Sequence, residues 1–268
     1  MKRENYLDKI LVYKKQEVDL LIRETENDPS HLLNQILKQT HAQSRHFSSA
    51  LKQAKLAVIG EVKRRSPSLG EIRQIEDPEE LAIKYCQGGA SAISVLTDAK
   101  SFGGSLEDLT MVAEALQTKY PKVAVLRKDF IIHRLQLAEA VLAGADAVLL
   151  IANVVGHELK ALLLEAKRLG LETLTEVHDL ADLELALNAE APIIGINHRN
   201  LSTFQIDLDI SGILRPLIPS HVITVAESGI HHADSAKRMR DLGYDAILVG
   251  EALVRSEDPV KLIKAMQG

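Results

Sequence analysis

The amino-acid sequence predicts an α/β protein, an eight-fold β/α barrel, (β/α)8, with an N-terminal helical extension. Three observations predict it. Short apolar runs rich in β-branched residues recur eight times along the 268 residues, separated by helix-length segments. Glycine closes the helix before several of these runs. No Gly-x-Gly-x-x-Gly fingerprint follows the first run, as an open, doubly wound nucleotide-binding sheet would usually carry. Barrels of this kind routinely use about 250 residues as one domain, so residues 1–268 read as one barrel domain, of which about 1–54 is the extension.

The runs read as strands at 56–62, 90–96, 122–127, 146–151, 171–177, 192–197, 221–227 and 245–249. Gly88-Gly89, Gly144, Gly170 and Gly243 stand before four of them, where a left-handed helix cap costs little only for glycine. Helix starts are marked by Asp77-Pro78-Glu79-Glu80, with a capping Asp and a proline in the first turn, and Asp28-Pro29 and Asp258-Pro259 repeat the first two positions. The last helix, 260–266, is expected to pack Val260, Leu262 and Ile263 onto the sheet. In the extension, Leu7, Ile10, Leu11, Val18, Leu21 and Ile22 keep helical spacing, as do Leu32, Leu33, Ile36 and Leu37. Phe47 and Leu51 fall just before the first strand. Spacing alone leaves open whether the extension caps the barrel bottom or covers part of its mouth.

A net charge of −5, with no stripe of Lys and Arg among aromatics, argues against nucleic acid or an anionic membrane as partner. The short run Lys63-Arg64-Arg65 reads as a solvated loop. A single cysteine, Cys86, permits no internal disulfide and reads as a buried apolar residue. Residues 1–5 lead into an amphipathic helix rather than a signal peptide, and no apolar run approaches the roughly 20 residues of a membrane span. The expected setting is the cytoplasm; no protein partner is assigned.

In a β/α barrel the strand ends and the loops after them face a common mouth. The residues there are Glu61 and Lys63, Lys128 and Asp129, Glu176, Asn197 and Arg199, and Glu227 and Ser228. Residues i and i+2 of a strand share a face, which pairs Glu61 with Lys63, Leu126 with Lys128, Val225 with Glu227 and Asn197 with Arg199. Burying one such charge alone is costly, so the cations and carboxylates read as one mutually compensated set. A lysine in that place is expected to have its pKa lowered toward neutrality, as suits a general acid. Phosphate is the expected anchor: Ser228-Gly229-Ile230 follows the seventh strand and Gly250-Glu251-Ala252-Leu253 the eighth, where barrels often hold it on backbone N–H groups. The ten histidines show no His-Glu-x-x-His spacing, so no metal is expected. His231-His232 reads as a surface pair at a helix start, and His178 either supports Glu176 or is structural. No Gly-x-Ser-x-Gly element offers a serine nucleophile.

The segments Glu61-Val62-Lys63-Arg64-Arg65-Ser66-Pro67-Ser68, Ser94-Val95-Leu96-Thr97-Asp98, Leu126-Arg127-Lys128-Asp129-Phe130-Ile131, Glu176-Val177-His178, Gly195-Ile196-Asn197-x-Arg199-Asn200-Leu201 and Ala226-Glu227-Ser228-Gly229-Ile230 resemble successive signatures of the indole-3-glycerol-phosphate synthase family. Val249-Gly250-Glu251-Ala252-Leu253 and the early Tyr13-Lys14-Lys15 extend the resemblance over nearly the whole chain. It implies ring closure of 1-(2-carboxyphenylamino)-1-deoxyribulose 5-phosphate with loss of carbon dioxide and water, in tryptophan synthesis, without a cofactor. It also implies roles. Lys128 would protonate the ketone and Lys63 would be the second acid, with Glu61 or Glu176 as base. Glu227 and Asn197 would position these groups and the sugar hydroxyls. Arg199 and Ser66 would meet the substrate carboxylate, and Ser228, Gly229, Gly250 and Glu251 the phosphate, helped by Lys63. Leu69, His198 and His133-Arg134-Leu135 depart from the family pattern without removing a candidate group. The rival expectations are another phosphate-binding barrel, such as a sugar-phosphate isomerase, and a catalytically silent barrel that binds a phosphorylated metabolite.

Overall fold

A computed structural model describes residues 6–41, 47–200 and 205–268. The expectation placed on residues 1–5, and Leu201 of the resemblance motif, lie outside these. The barrel strands are β1 (Ala57–Val62), β2 (Ala92–Leu96), β3 (Ala124–Lys128), β4 (Ala147–Ile151), β5 (Glu172–Val177), β6 (Ile193–Asn197), β7 (Ile223–Glu227) and β8 (Ala246–Val249). Each pairs in parallel with its neighbours, and β8 returns to β1, so the sheet closes into a (β/α)8 TIM barrel. Every predicted strand is present but begins one or two residues later than the apolar run. Two of the displaced residues work as caps at the lower rim: Asp146 accepts the N–H of Val125 (2.7 Å) and Asp245 that of Thr224 (2.7 Å).

Closure turns the alternation of each strand into two cores. Outward residues such as Val58, Ile93, Val125, Val148, Ile194 and Ile247 meet the surrounding helices. Inward residues, including Ile59, Leu126, Leu149, Leu174, Val225 and Leu248, fill the barrel. Cys86 lies in the outer core, and burial pushes its thiol up to about 12.

Among the described residues three helices precede β1: α1 (Tyr6–Asn27), α2 (Leu32–Lys38) and α3 (Phe47–Leu51). The choice between bottom and mouth resolves as both. Phe47 and Leu51 of α3 are buried among Ala57, Ala92, Ala124 and Ala147, the first inward residues of their strands, whose small side chains leave room at the barrel floor. Ser48 N–H donates to Glu172 at the start of β5 (2.8 Å). α1 lies at the other end. Its Lys14, only 3% exposed, is an ion-pair partner of Asp98 (3.1 Å) and Asp129 (2.8 Å), just beyond β2 and β3. Tyr13 donates to Asp98 (2.8 Å). α2 runs along the flank, with Leu33 against Leu135 and Ala138.

Three local expectations are corrected. Asp28-Pro29 does not start a helix: Asp28 accepts from Ser30, and His31 Nδ1 caps α2 instead. In the last helix (Pro259–Gln267) Ile263 is buried and Leu262 packs half-buried against the outer core as expected, but Val260 is not part of that packing, which Pro259 and Met266 complete. Lys63-Arg64-Arg65 is not a solvated run. Arg64 is held by Asp108 (Nη2–Oδ1 2.9 Å) and Arg65 by the carbonyls of Ala99 (2.6 Å) and Lys100 (2.5 Å). No helix among the described residues is long and apolar enough to cross a membrane.

Candidate active site

The last inward position of β1, β3, β5 and β7 is Glu61, Lys128, Glu176 and Glu227. Two residues below each stands an apolar side chain: Ile59, Leu126, Leu174 and Val225. A barrel layer draws four side chains from alternate strands, so the uppermost layer of the odd-numbered strands is charged while the layer beneath it is apolar. The even-numbered strands make room for it. A Cβ on Gly195 of β6 would collide with Glu227 Oε1, and one on Gly250, just past β8, with Glu61 Oε1. The glycine after β8 thus serves the carboxylate opposite it, besides lying beside the expected anion site.

Two lysines meet the carboxylates of this layer in three ion contacts. Lys128 Nζ stands 2.8 Å from Glu176 Oε2 and 3.3 Å from Glu227 Oε2. Lys63, two residues above Glu61 on the same face, has its Nζ 2.5 Å from Glu61 Oε1. All three carboxylates are buried. Burial alone would depress Lys128, but Glu176, Glu227 and Glu61 outweigh it and hold its pKa well above the ordinary value. The expectation of a lysine lowered toward neutrality is therefore corrected: three acids around one ammonium favour its charged form. Burial works against Glu176 too, yet Lys128 and His178 hold its pKa below the usual carboxylate range. For Glu227 burial prevails, reinforced by the neighbouring Glu176, and its pKa is raised. Its carboxyl oxygens make no hydrogen bond among the described residues beyond the ion contact with Lys128.

A cleft of about 980 Å³ opens above the layer. All twelve residues singled out in the sequence line it: Glu61, Lys63, Ser66, Lys128, Glu176, Asn197, Arg199, Glu227, Ser228, Gly229, Gly250 and Glu251. Asn197 Oδ1 accepts the N–H of Arg199 (3.0 Å), whose guanidinium reaches Ser68 Oγ (3.0 Å) in the loop after β1. Glu251 also approaches Arg255 one turn on (3.4 Å), so what it offers an anion is its backbone N–H rather than its carboxylate.

After β7 the chain turns through two left-handed residues, Ser228 (φ +66°) and Gly229 (φ +76°). A serine in that region is uncommon and needs outside support. His198 supplies it from β6's end: Nδ1–H donates to Ser228 O (2.8 Å), while Nε2 accepts from Ser211 (2.5 Å), itself bonded to Tyr244 (2.7 Å). Burial lowers the His198 pKa, which favours the neutral ring in which Nε2 is the acceptor.

Sequence reasoning missed the apolar wall. Phe102, Phe130, Leu96, Leu149, Ile151 and Leu248 line the cleft as well, with the Phe102 and Phe130 ring centroids 6.2 Å apart. The signal was present for Phe130, which follows Lys128 by two residues. Phe102 ends a four-residue helix (Ala99–Phe102) after β2, too short for periodicity to mark it. His231, exposed as expected, lines the rim as well. No group of three or more His, Cys, Asp or Glu side chains able to hold a metal occurs among the described residues.

A closed β/α barrel with two lysine–carboxylate pairs at its C-terminal mouth defines the class: a TIM-barrel enzyme equipped for proton transfer. The chain matches the family model for indole-3-glycerol phosphate synthase over residues 7–266. It belongs to the indole-3-glycerol phosphate synthase family, carboxy-lyases of tryptophan biosynthesis. An indole-3-glycerol phosphate synthase of Aliarcobacter butzleri is 43% identical over 253 residues, 93% of each chain. One of Campylobacter jejuni is 42% identical over 263 residues, covering 97% of this chain and 99% of the relative. One of a Nocardioides species is 49% identical over 213 residues, 79% and 80% respectively. Among solved structures, 3-hexulose-6-phosphate synthase of Salmonella typhimurium is similar in fold alone, with TM-score 0.63 at 16% identity over 79% of this chain and 97% of that one.

Proposed function

We propose that this chain closes the indole ring of 1-(2-carboxyphenylamino)-1-deoxyribulose 5-phosphate with Lys128 as the acid that protonates the ketone. The observation carrying this is the Lys128 ammonium at the bottom of the cleft, half-buried and kept charged by three neighbouring acids. Attack by the ring carbon puts negative charge on the ketone oxygen, and a preorganised ammonium can both stabilise that charge and supply the proton. Carbon dioxide then leaves, its bonding electrons restoring the aromatic ring, and the new hydroxyl departs as water with a proton from Lys63 while a base takes a proton from the neighbouring methylene carbon to form the double bond. Both oxygens of Glu176 face cations, Oε2 Lys128 and Oε1 His178, so Glu61 is the freer base and Glu176 acts by orienting Lys128.

The rest of the cleft suits the rest of the substrate. The Phe102–Phe130 wall fits the benzoid ring, and Arg199 with Ser66 fits its carboxylate. The unsatisfied Glu227 carboxyl and Asn197 suit the sugar hydroxyls. Backbone N–H groups about Ser228, Gly229, Gly250 and Glu251 suit the phosphate, with Lys63 nearby. No step of this scheme calls for a cofactor. We read the chain as one barrel domain with its leading helices, working in the cytoplasm on a small phosphorylated molecule.

The test is direct. Purified protein given the anthranilate-derived ribulose phosphate is expected to develop indole fluorescence. Binding without turnover would favour the silent-barrel alternative, and isomerisation without fluorescence the sugar-phosphate isomerase.

A further inference from the structure

Resting on the reading of Lys128 as the acid, we infer that His178 is a positioning residue for the reaction, acting through Glu176 on Lys128 from behind the barrel wall. His178 is the first residue after β5, two beyond Glu176. Its side chain is 9% exposed, and it stands outside the cleft lining. Its Nε2 lies 3.2 Å from Glu176 Oε1, an ion contact rather than an aligned hydrogen bond, and its Nδ1 lies 3.3 Å from Asp182 Oδ2. Asp182 is itself fixed, accepting the His178 backbone N–H (3.0 Å) and Asn153 Nδ2 (3.0 Å).

An imidazole between two carboxylates can present an N–H to each only as the cation, since the neutral ring has one N–H to donate. Burial disfavours that cation, but Asp182 and Glu176 outweigh it and push the ring's pKa up to about 9. The charged groups facing the ring are Glu176 from β5 and Asp182 from the helix Leu180–Asn188, with Lys128 of β3 beyond Glu176. The result is a line of alternating charge, Asp182, His178, Glu176, Lys128, whose last member reaches the cleft. Glu176 is thereby gripped at both oxygens, and the direction of its Oε2 toward Lys128 is set from outside the cleft. Deprotonation of the ring leaves one carboxylate without a donor and loosens that grip.

The test uses His178→Ala and His178→Gln in the full chain. His178→Ala is expected to lower kcat on the order of 10–100-fold, as small misplacement of a reacting group does, while KM moves less than about threefold. His178→Gln should recover part of kcat, because it keeps a donor toward Glu176. It should also lose the alkaline fall in kcat near pH 9, because it cannot titrate. In a Lys128→Met background, His178→Gln should cost nothing further, since both act through one group. A purely structural role predicts additive losses and an unmoved pH limb. An activity-independent measurement accompanies these: the His178 ring, followed by NMR, should titrate above its ordinary value and drop in Glu176→Gln. A kcat within twofold of wild type in His178→Ala, additive losses, or an ordinary titration would each overturn the inference. Wild-type protein that does not turn the substrate over would instead overturn the acid reading, with the NMR titration still deciding the coupling.

Discussion

The two ends of the barrel follow the same alternation and hold opposite contents. At the floor, alanines at the first inward positions of β1 to β4 meet Phe47 and Leu51 of α3, which are both wholly buried. At the mouth, the inward rows of β1, β3, β5 and β7 end in Glu61, Lys128, Glu176 and Glu227. The floor lowers the free energy of folding by burying apolar surface, at about 25 cal/mol per Å². The mouth does the reverse, since each buried ion gives up hydration that its partners only partly restore. The lesson is a division of labour along one axis: a dry lower half stabilises the fold while the upper half holds charges ready for proton transfer.

Substitutions at either end should separate the two. Lys128→Met is expected to lower turnover on the order of 10²–10⁴-fold, the usual worth of a general acid, with an unfolding midpoint close to wild type. Turnover within tenfold of wild type would remove Lys128 from the chemistry. Leu51→Ala at the floor should cost about 2–5 kcal/mol of stability in denaturant titration, with kcat per folded molecule retained. A matching loss of kcat would mean that floor and mouth are not separable. The smallest effect concerns the rim. Burial opposes ionisation of Asp129, but Arg127 and Lys14 prevail and hold its pKa down at about 2. A lowered carboxylate stabilises the fold above its ordinary pKa, and that contribution is lost as pH falls from about 4 through 2. Wild type should therefore lose on the order of 2 kcal/mol over that window, and Asp129→Asn should show a shallower acid dependence.

The contrast also explains what could be read in advance. Strand and helix positions follow from alternation and from glycine punctuation, both local properties, so all eight strands were legible to within two residues. The strand-end charges were legible for the same reason: parallel strands in a closed barrel must end together. What the sequence hid depends on distances between segments far apart in the chain. The Lys128 pKa is set by Glu176 and Glu227, 48 and 99 residues away. Spacing could not foresee that three acids would converge on one ammonium. Phe102 at the cleft wall and His198 beneath the Ser228 turn share that cause, as does Lys14 reaching from α1 to Asp98 and Asp129.

The charged layer is divided unevenly between the halves of the chain. β1 to β4 bring both lysines and Glu61, whereas β5 to β8 bring Glu176 and Glu227 and no inward lysine. Within the second half only the His178 ring meets Glu176; the ammonium shared by Glu176 and Glu227 comes from the first. Two copies of residues 152–268 joined as a symmetric barrel would place four carboxylates at one rim with no ammonium among them, a repulsion that the natural, asymmetric pairing avoids.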